Sequence, residues 1–139
     1  MTNNNLESLK KICGEVFGSL PLIYQWQWDE DLHAARITFG QEHSEPVLTA
    51  LSTQFHHEWD FSTIDQASPS VAEYFNASFG LFPGQKAFTS DNAGIVLFAV
   101  WWPWGDGDKI SLRVGLFCSE ANNLDKNEIQ EHLTRWFAI

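Results

Sequence analysis

The stretch that decides the fold is residues 96–117, VLFAVWWPWGDGDKISLRVGLF, in which a segment rich in Gly and Asp joins two apolar runs. Runs of this kind on either side of a Gly-Asp segment predict a β-hairpin. We place a two-residue turn of the primed type at Asp106 and Gly107. That turn sets the register of the two strands, with Trp101 opposite Leu112, Val100 opposite Arg113 and Phe98 opposite Gly115.

The first strand of this hairpin is apolar on both of its faces. Successive side chains of a strand point to opposite sides. One set therefore faces the main core and the other faces away from it: Ile95, Leu97, Ala99 and Trp101 against Val96, Phe98, Val100 and Trp102. A patch of that size left in water would exceed what a monomer usually exposes. We expect a cover over the second set, which is one of the chain's own helices, a second copy in a homodimer, or a different protein.

Four residues of this region are the candidate partner-binding residues: Phe98, Trp102, Trp104 and Arg113. Arg113 is placed to stack on Trp102 by cation–π attraction. Trp104 lies beyond Pro103 and has no strand partner in the interior, so we expect it to be partly exposed. It either binds a partner, as tryptophans at the centre of interfaces often do, or folds back over the sheet edge and caps the core.

The whole sequence, residues 1–139, predicts a single α+β domain, an antiparallel sheet of five to six strands covered by three to four helices. The predicted helices are residues 5–17, a short helix opened by Ser44, residues 68–79 and a helix that begins at the capping pair Asp125 and Glu128. The predicted strands outside the central hairpin are the two arms on either side of residues 29–31, residues 55–61 and residues 86–89.

The chain is acidic, with 8 Lys and Arg against 18 Asp and Glu and a formal net charge of −10. Binding to nucleic acid depends on clustered Lys and Arg, so we expect no nucleic-acid partner. An anionic membrane is disfavoured for the same reason. A basic protein, a cationic peptide or a metal ion would be attracted, and the alternative is that the charge only keeps the protein soluble.

The sequence carries no signal for export or for a membrane span. Its first residues, MTNNNLESLKK, lack the basic and apolar regions of a signal peptide, and no apolar stretch is long enough to cross a bilayer. Cys13 and Cys118 each lie in an apolar run, and we interpret both as small buried hydrophobic residues. We therefore expect a cytoplasmic protein with no membrane partner.

Motifs that indicate catalysis or cofactor binding are missing from the sequence, including GxSxG, GxGxxG and the phosphate loop. We expect no cofactor, and we favour a binding protein over an enzyme. The weak candidate for a metal site is His56, Glu58 and Asp60, which share one face of a predicted strand and have the ligand types that zinc or iron takes. The same alternation is typical of a solvated strand face, so we expect no metal.

Tyr24, Trp26 and Trp28 support a competing hypothesis. These three residues share one face of the first predicted hairpin. Aromatic side chains commonly line the pockets of small-molecule-binding and enzymatic domains. The same residues would equally fill a hydrophobic core.

In size, acidity and α+β character the chain resembles bacterial immunity proteins and the chaperones of type III secretion. For the chaperones, the resemblance covers the first helix, the sheet and the last helix, and the predicted helix at residues 68–79 departs from their usual order. No sequence motif accompanies the resemblance, so we assign no family. It implies an adaptor, chaperone-like or immunity-like role, in which the chain binds another protein without catalysis.

Overall fold

A computed structural model describes residues 2–18, 25–78, 80–92, 94–105, 107–118 and 124–139. These residues form four α-helices and six strands. The helices are α1 (Thr2–Phe17), α2 (Ser44–Gln54), α3 (Pro69–Ser78) and α4 (Lys126–Phe137). The strands are β1 (Gln27–Asp29), β2 (Ala34–Gly40), β3 (His57–Asp60), β4 (Lys86–Asn92), β5 (Ile95–Pro103) and β6 (Lys109–Cys118). The predicted α+β fold is confirmed.

The six strands form one antiparallel sheet in the order β1-β2-β6-β5-β4-β3. The central strands β5 and β6 pair in the predicted register, with Phe98 opposite Gly115, Val100 opposite Arg113 and Trp101 opposite Leu112. The local pattern of the hairpin was therefore sufficient to predict which side chains face each other in the middle of the sheet.

Asp106, the first residue of the predicted two-residue turn, lies outside the described residues. The amide of Gly107 donates to the carbonyl of Trp104, and the amide of Trp104 donates to the carbonyl of Lys109. The bond between Trp104 and Lys109 continues the predicted register of the two strands beyond Pro103 and Ile110. Gly107 has a φ of +77°, a backbone conformation that glycine adopts without steric cost.

Strand β5 is buried on both faces, as predicted. On the first face of the sheet, its side chains pack into a core with α1, α2 and α4: Ile95, Leu97, Ala99 and Trp101. On the second face, the alternate side chains pack into a separate core with α3: Val96, Phe98 and Val100, with Trp102 partly buried at its margin. Helices therefore cover the sheet on both sides.

The cover over the second face is the chain's own helix α3. The ring of Phe75 lies 5.6 Å from the ring of Phe98, edge to face, and Tyr74 stacks on Phe117 with centroids 4.0 Å apart. Phe98 has an exposed fraction of 0%. The sequence allowed three possible covers over Phe98: a helix of the chain itself, a second copy or a different protein. The structure shows the first of these.

Helix α3 covers only part of the second face. The second core takes its residues from α3, β4, β5, the end of β6 and nearby loops. On the remaining part, formed by β1, β2 and the first half of β6, the same face carries polar side chains: Asp29, Arg36, Thr38, Ser111 and Arg113. This polar part, which α3 does not cover, lies beside Trp102 and includes residues of the candidate site.

Two element ends depend on side chains that bond to the backbone. The strand predicted at 55–61 is shorter, since Asp60 Oδ1 accepts the amides of Ser62 and Thr63 at 2.9 and 3.0 Å and turns the chain. Phe61 therefore lies in a turn.

The predicted start of α4 is confirmed by a capping box, in which Asp125 accepts the amide of Glu128 at 2.8 Å and the Glu128 carboxylate accepts the amide of Asp125 at 3.2 Å.

Gly115 is predicted to tolerate no side chain. A Cβ atom at position 115 would lie 2.5 Å from Cζ of Phe98, and Tyr74 and Phe75 pack against that ring and prevent it from moving away. We expect Gly115→Ala to lower the free energy of unfolding by about 1–3 kcal/mol, the usual cost of overpacking. Urea denaturation measures this change.

The matched control is Gly14→Ala in α1, where the added Cβ would meet no described atom within 4 Å. That change should raise the free energy of unfolding by about 0.5–1 kcal/mol, because alanine loses less backbone entropy in a helix. In a Phe98→Leu background, Gly115→Ala should be less costly. An equal cost in both backgrounds would contradict the predicted clash.

Candidate functional site

Three loops at one end of the sheet each carry an exposed aromatic side chain. Phe61, Phe82 and Trp104 have exposed fractions of 57%, 60% and 42%. They lie in the loops that follow β3, precede β4 and follow β5. Asp60 pairs with Lys86, and Lys86 pairs with Trp101, so the three loops leave the sheet at the same end. We call Phe61, Phe82 and Trp104 the aromatic end.

Trp104 is held in place although it is partly exposed. Its indole Nε1 donates to Oγ of Ser111 at 2.8 Å, and that hydroxyl lies 3.0 Å from Oγ1 of Thr38. The ammonium of Lys109 lies 5.2 Å from the centroid of the ring. The expected partial exposure is confirmed, and the ring also folds back over the sheet. Trp104 thus presents a fixed aromatic surface to solvent.

Trp102 and Arg113 form the predicted cation–π contact. The guanidinium carbon of Arg113 lies 4.9 Å from the centroid of Trp102. Both side chains line an open cavity of about 310 Å³, together with Pro103, Trp104, Gly105 and Ser111. Arg113 is the charged residue among these, so the cavity has aromatic walls and one cationic group.

Two arginines share one carboxylate next to this cavity. Arg36 on β2 pairs directly with Arg113 on β6. The Oδ2 atom of Asp29 accepts from Nε of Arg113 at 3.1 Å and lies 3.7 Å from Nη1 of Arg36. Arg36 Nη2 also donates to Oε1 of Gln27 at 3.1 Å. We call Asp29, Arg36 and Arg113 the arginine pair site.

Asp29 has an exposed fraction of 8%. Burial by itself would raise the pKa of this carboxyl, but its hydrogen bond from the amide of Leu32 and the nearby Arg113 and Arg36 outweigh that effect, so the pKa of Asp29 is lowered. Its carboxylate is therefore charged at neutral pH. It compensates the charge of one guanidinium, and no second carboxylate among the described residues compensates the other.

Of the four predicted partner-binding residues, three lie together at this site. Trp102, Trp104 and Arg113 line the cavity. Phe98 does not, because it lies under α3 with no exposed surface. A partner cannot reach Phe98 without displacing that helix.

The three aromatic residues of the competing hypothesis do not meet in one described pocket. Trp26 contacts Phe17 and Phe137, with ring centroids 5.2 and 4.2 Å apart, beside a cavity of about 260 Å³ between α1 and α4. Trp28 is not among the described residues that line that cavity, and its ring packs against His33. Tyr24 lies outside the described residues. Trp26 and Trp28 instead pack against the first core.

The weak metal candidate is engaged in other contacts. Glu58 pairs with Lys86 at 3.1 Å and accepts from Ser52 at 3.0 Å, and Asp60 caps its own turn. Over the part of the chain that the structure describes, no group of three or more His, Cys, Asp or Glu could hold a metal ion.

Sequence reasoning missed the other members of the site. Phe82 was not singled out, and Phe61 was assigned to a strand. Asp29 was taken as a turn residue of the first hairpin, and Arg36 was not considered. Strand alternation could have placed Asp29 and Arg36 on one face, but only the pairing of β2 with β6 brings them to Arg113.

Comparison with known proteins leaves the site to be interpreted from its own geometry. The chain matches no protein-family model, and no curated protein and no solved structure is significantly similar to it. Within the described ranges, none of the helices is both long and apolar enough to cross a membrane.

Asp29→Asn should destabilise the protein in a pH-dependent way. The change removes the carboxylate between two guanidiniums, and we expect a loss of about 1.5–3 kcal/mol in the free energy of unfolding at neutral pH. Because the pKa of Asp29 is lower in the folded chain, its stabilising effect is complete above about pH 4 and is lost as the pH falls further. Chemical denaturation at several pH values should show the variant and wild type converging below about pH 4.

Asp91→Asn is the control, because Asp91 is exposed on β4 and the substitution removes the same charge. It should change the free energy of unfolding by less than about 0.5 kcal/mol. A loss at Asp29→Asn that stays constant from neutral to acidic pH would contradict the assigned role of the carboxylate.

The two cysteines should differ in reactivity. Burial raises the pKa of the Cys13 thiol to about 12, so this thiol is protonated at neutral pH and is a poor nucleophile. Cys118 is only partly buried. A short pulse of iodoacetamide, followed by mass spectrometry, should label Cys118 faster than Cys13 in the folded protein. Equal labelling without denaturant would contradict this prediction.

Proposed function

We propose that this protein acts without catalysis by binding another protein through the aromatic end and the adjoining cavity of Trp102, Trp104 and Arg113. The observation that carries the proposal is that three loops at one end of the sheet each carry an exposed aromatic side chain. Phe61, Phe82 and Trp104 are three of the four large hydrophobic residues that are exposed among the described residues. Aromatic side chains are enriched at protein–protein interfaces.

The rigidity of Trp104 supports the same proposal. Its hydrogen bond to Ser111 and the Lys109 ammonium over its ring hold the indole in one orientation before a partner arrives. A side chain that is ordered in advance loses less entropy on binding, so more of the contact energy appears as affinity. An adaptor, chaperone-like or immunity-like role is consistent with such a preformed surface.

The charge of the whole chain supports a basic partner. The net charge of −10 attracts a positively charged protein over the screening length of about 8 Å in physiological salt. A second copy of the chain is the competing partner, and it would appear as self-association. We further propose a cytoplasmic location, which the two free thiols of Cys13 and Cys118 support.

Affinity capture with surface variants tests the proposal. The tagged protein is purified from its own cells at low salt, and the proteins that co-elute at near-equal stoichiometry are identified by mass spectrometry. Trp104→Ala and Phe82→Ser should each weaken binding of that partner at least tenfold in a subsequent titration, because buried aromatic residues dominate interface energies.

Ile139→Ala is the matched control. Ile139 is exposed by 41% and follows α4, outside the three loops of the aromatic end. This variant should bind the partner as wild type does. Equal binding by Trp104→Ala, Phe82→Ser and wild type would overturn the proposal, provided that circular dichroism shows all of them folded.

A further inference from the structure

The arginine pair site has an electrostatic imbalance within a strongly acidic protein. Arg36 and Arg113 lie directly opposite each other on neighbouring strands. Like charges in that arrangement are destabilising. Asp29 is the carboxylate that the described contacts place between them, and its single charge compensates only one guanidinium. Counted over the described residues, the site is therefore short of one negative charge.

The guanidinium of Arg113 is oriented in advance. Its Nε donates to Asp29 at 3.1 Å, and its guanidinium carbon lies 4.9 Å from the centroid of the Trp102 ring. Among the described residues, no hydrogen bond uses its Nη1 or Nη2 atoms, although the side chain is exposed by only 16%. Two parallel N–H groups at the end of a guanidinium match the two oxygens of a carboxylate.

Apart from Asp29, the charged side chains that the described contacts place at this surface with Arg113 are cationic. Three of the chain's eight Lys and Arg residues are at this surface: Arg36, Lys109 and Arg113. The other residues that line the cavity are uncharged. The Ser111 hydroxyl and the Trp104 indole bond to each other. These three cations outnumber Asp29 in the described contacts of the site, so the local charge is positive, whereas the whole chain is negative.

We propose that Arg113, with Arg36 beside it, binds the carboxylate of an Asp or Glu side chain of the protein partner. The inference rests on the proposed function, and it identifies the chemical group of the partner that occupies the cavity between Trp102 and Trp104. The partner's carboxylate fills the missing negative charge, and its apolar stem packs against the two indole rings. A partner that is basic overall contributes an acidic residue at this one point.

A single carboxylate fits the site better than a phosphate group. One uncompensated guanidinium balances a charge of −1, whereas a phosphate monoester carries about −1.5 to −2 at neutral pH. The net charge of −10 repels multiply charged anions more strongly than a monoanion. The neutral aromatic walls also favour a carboxylate on a short apolar stem.

Titration with blocked peptides, followed by NMR, tests the inference. The ¹⁵N-labelled protein is titrated at low salt with acetyl-Ala-Glu-Ala-amide, which carries a single carboxylate, and acetyl-Ala-Gln-Ala-amide is the neutral control. We expect the Nε–H signal of Arg113 and the indole signal of Trp104 to shift together and to saturate with the Glu peptide. The shifts should weaken as sodium chloride is added, because the contact is between charges.

Two substitutions at Arg113 and one elsewhere complete the test. Arg113→Lys keeps the charge beside Asp29 and loses the two parallel donors, and we expect binding of the Glu peptide to weaken about tenfold or more. Arg113→Gln should abolish it. Arg135→Gln removes the same charge from an exposed pair on α4 and should bind the peptide as wild type does.

Three results would overturn the inference. The first is equal shifts of the Arg113 and Trp104 signals with the Gln and Glu peptides, and the second is no shift of the Arg113 signal with the Glu peptide. The third is that these signals shift with inorganic phosphate but not with the Glu peptide. Its failure is distinguishable from failure of the proposed function. If partner capture is lost in Trp104→Ala and unchanged in Arg113→Lys, only the carboxylate contact is wrong. If Trp104→Ala keeps the partner, the binding surface itself is wrong.

Discussion

The rest of the structure depends on a strand that is apolar on both faces. Strand β5 runs through the middle of the sheet with buried side chains on both of its sides. Burying apolar surface contributes roughly 25 cal/mol per Å², so neither face of this strand can be left in water. The chain satisfies this constraint with three helices on the first face and with α3 on the second. The α+β architecture follows from that arrangement.

The candidate site lies where this cover ends. Helix α3 packs on Phe98 and Phe117, and Trp102, near the end of β5, is only partly buried. Beyond it, the second face becomes polar, with Arg113 stacked on Trp102 and Trp104 folded back over Ser111. Strand β5 thus supplies the centre of the core, and Trp102 near its end and Trp104 in the loop after it supply two aromatic residues of the site. Because Trp102 packs against the second core, the packing of that core fixes its position at the site.

Asp29 has a different role from the apolar contacts. A buried carboxylate loses its hydration, and this cost is offset only by well-placed hydrogen bonds and opposite charges. Asp29 has both, from the Leu32 amide and from two guanidiniums. It draws together the hairpin of β1 and β2 and the central strand β6. It also orients Arg113, so the same carboxylate has a part in stability and in the presentation of the cationic group.

The sequence by itself determined the features that depend on neighbours along the chain. These are the register of β5 with β6, the two faces of β5, the stacking of Arg113 on Trp102 and the capping box of α4, since turn geometry and side-chain alternation are local. It did not determine that α3, rather than a second molecule, covers Phe98, because an apolar face has the same pattern whatever covers it. Only the tertiary structure placed Asp29 between two arginines and brought Phe61, Phe82 and Trp104 to one end. Those contacts join segments that are distant in sequence, and the order of strands in the sheet decides which of them meet.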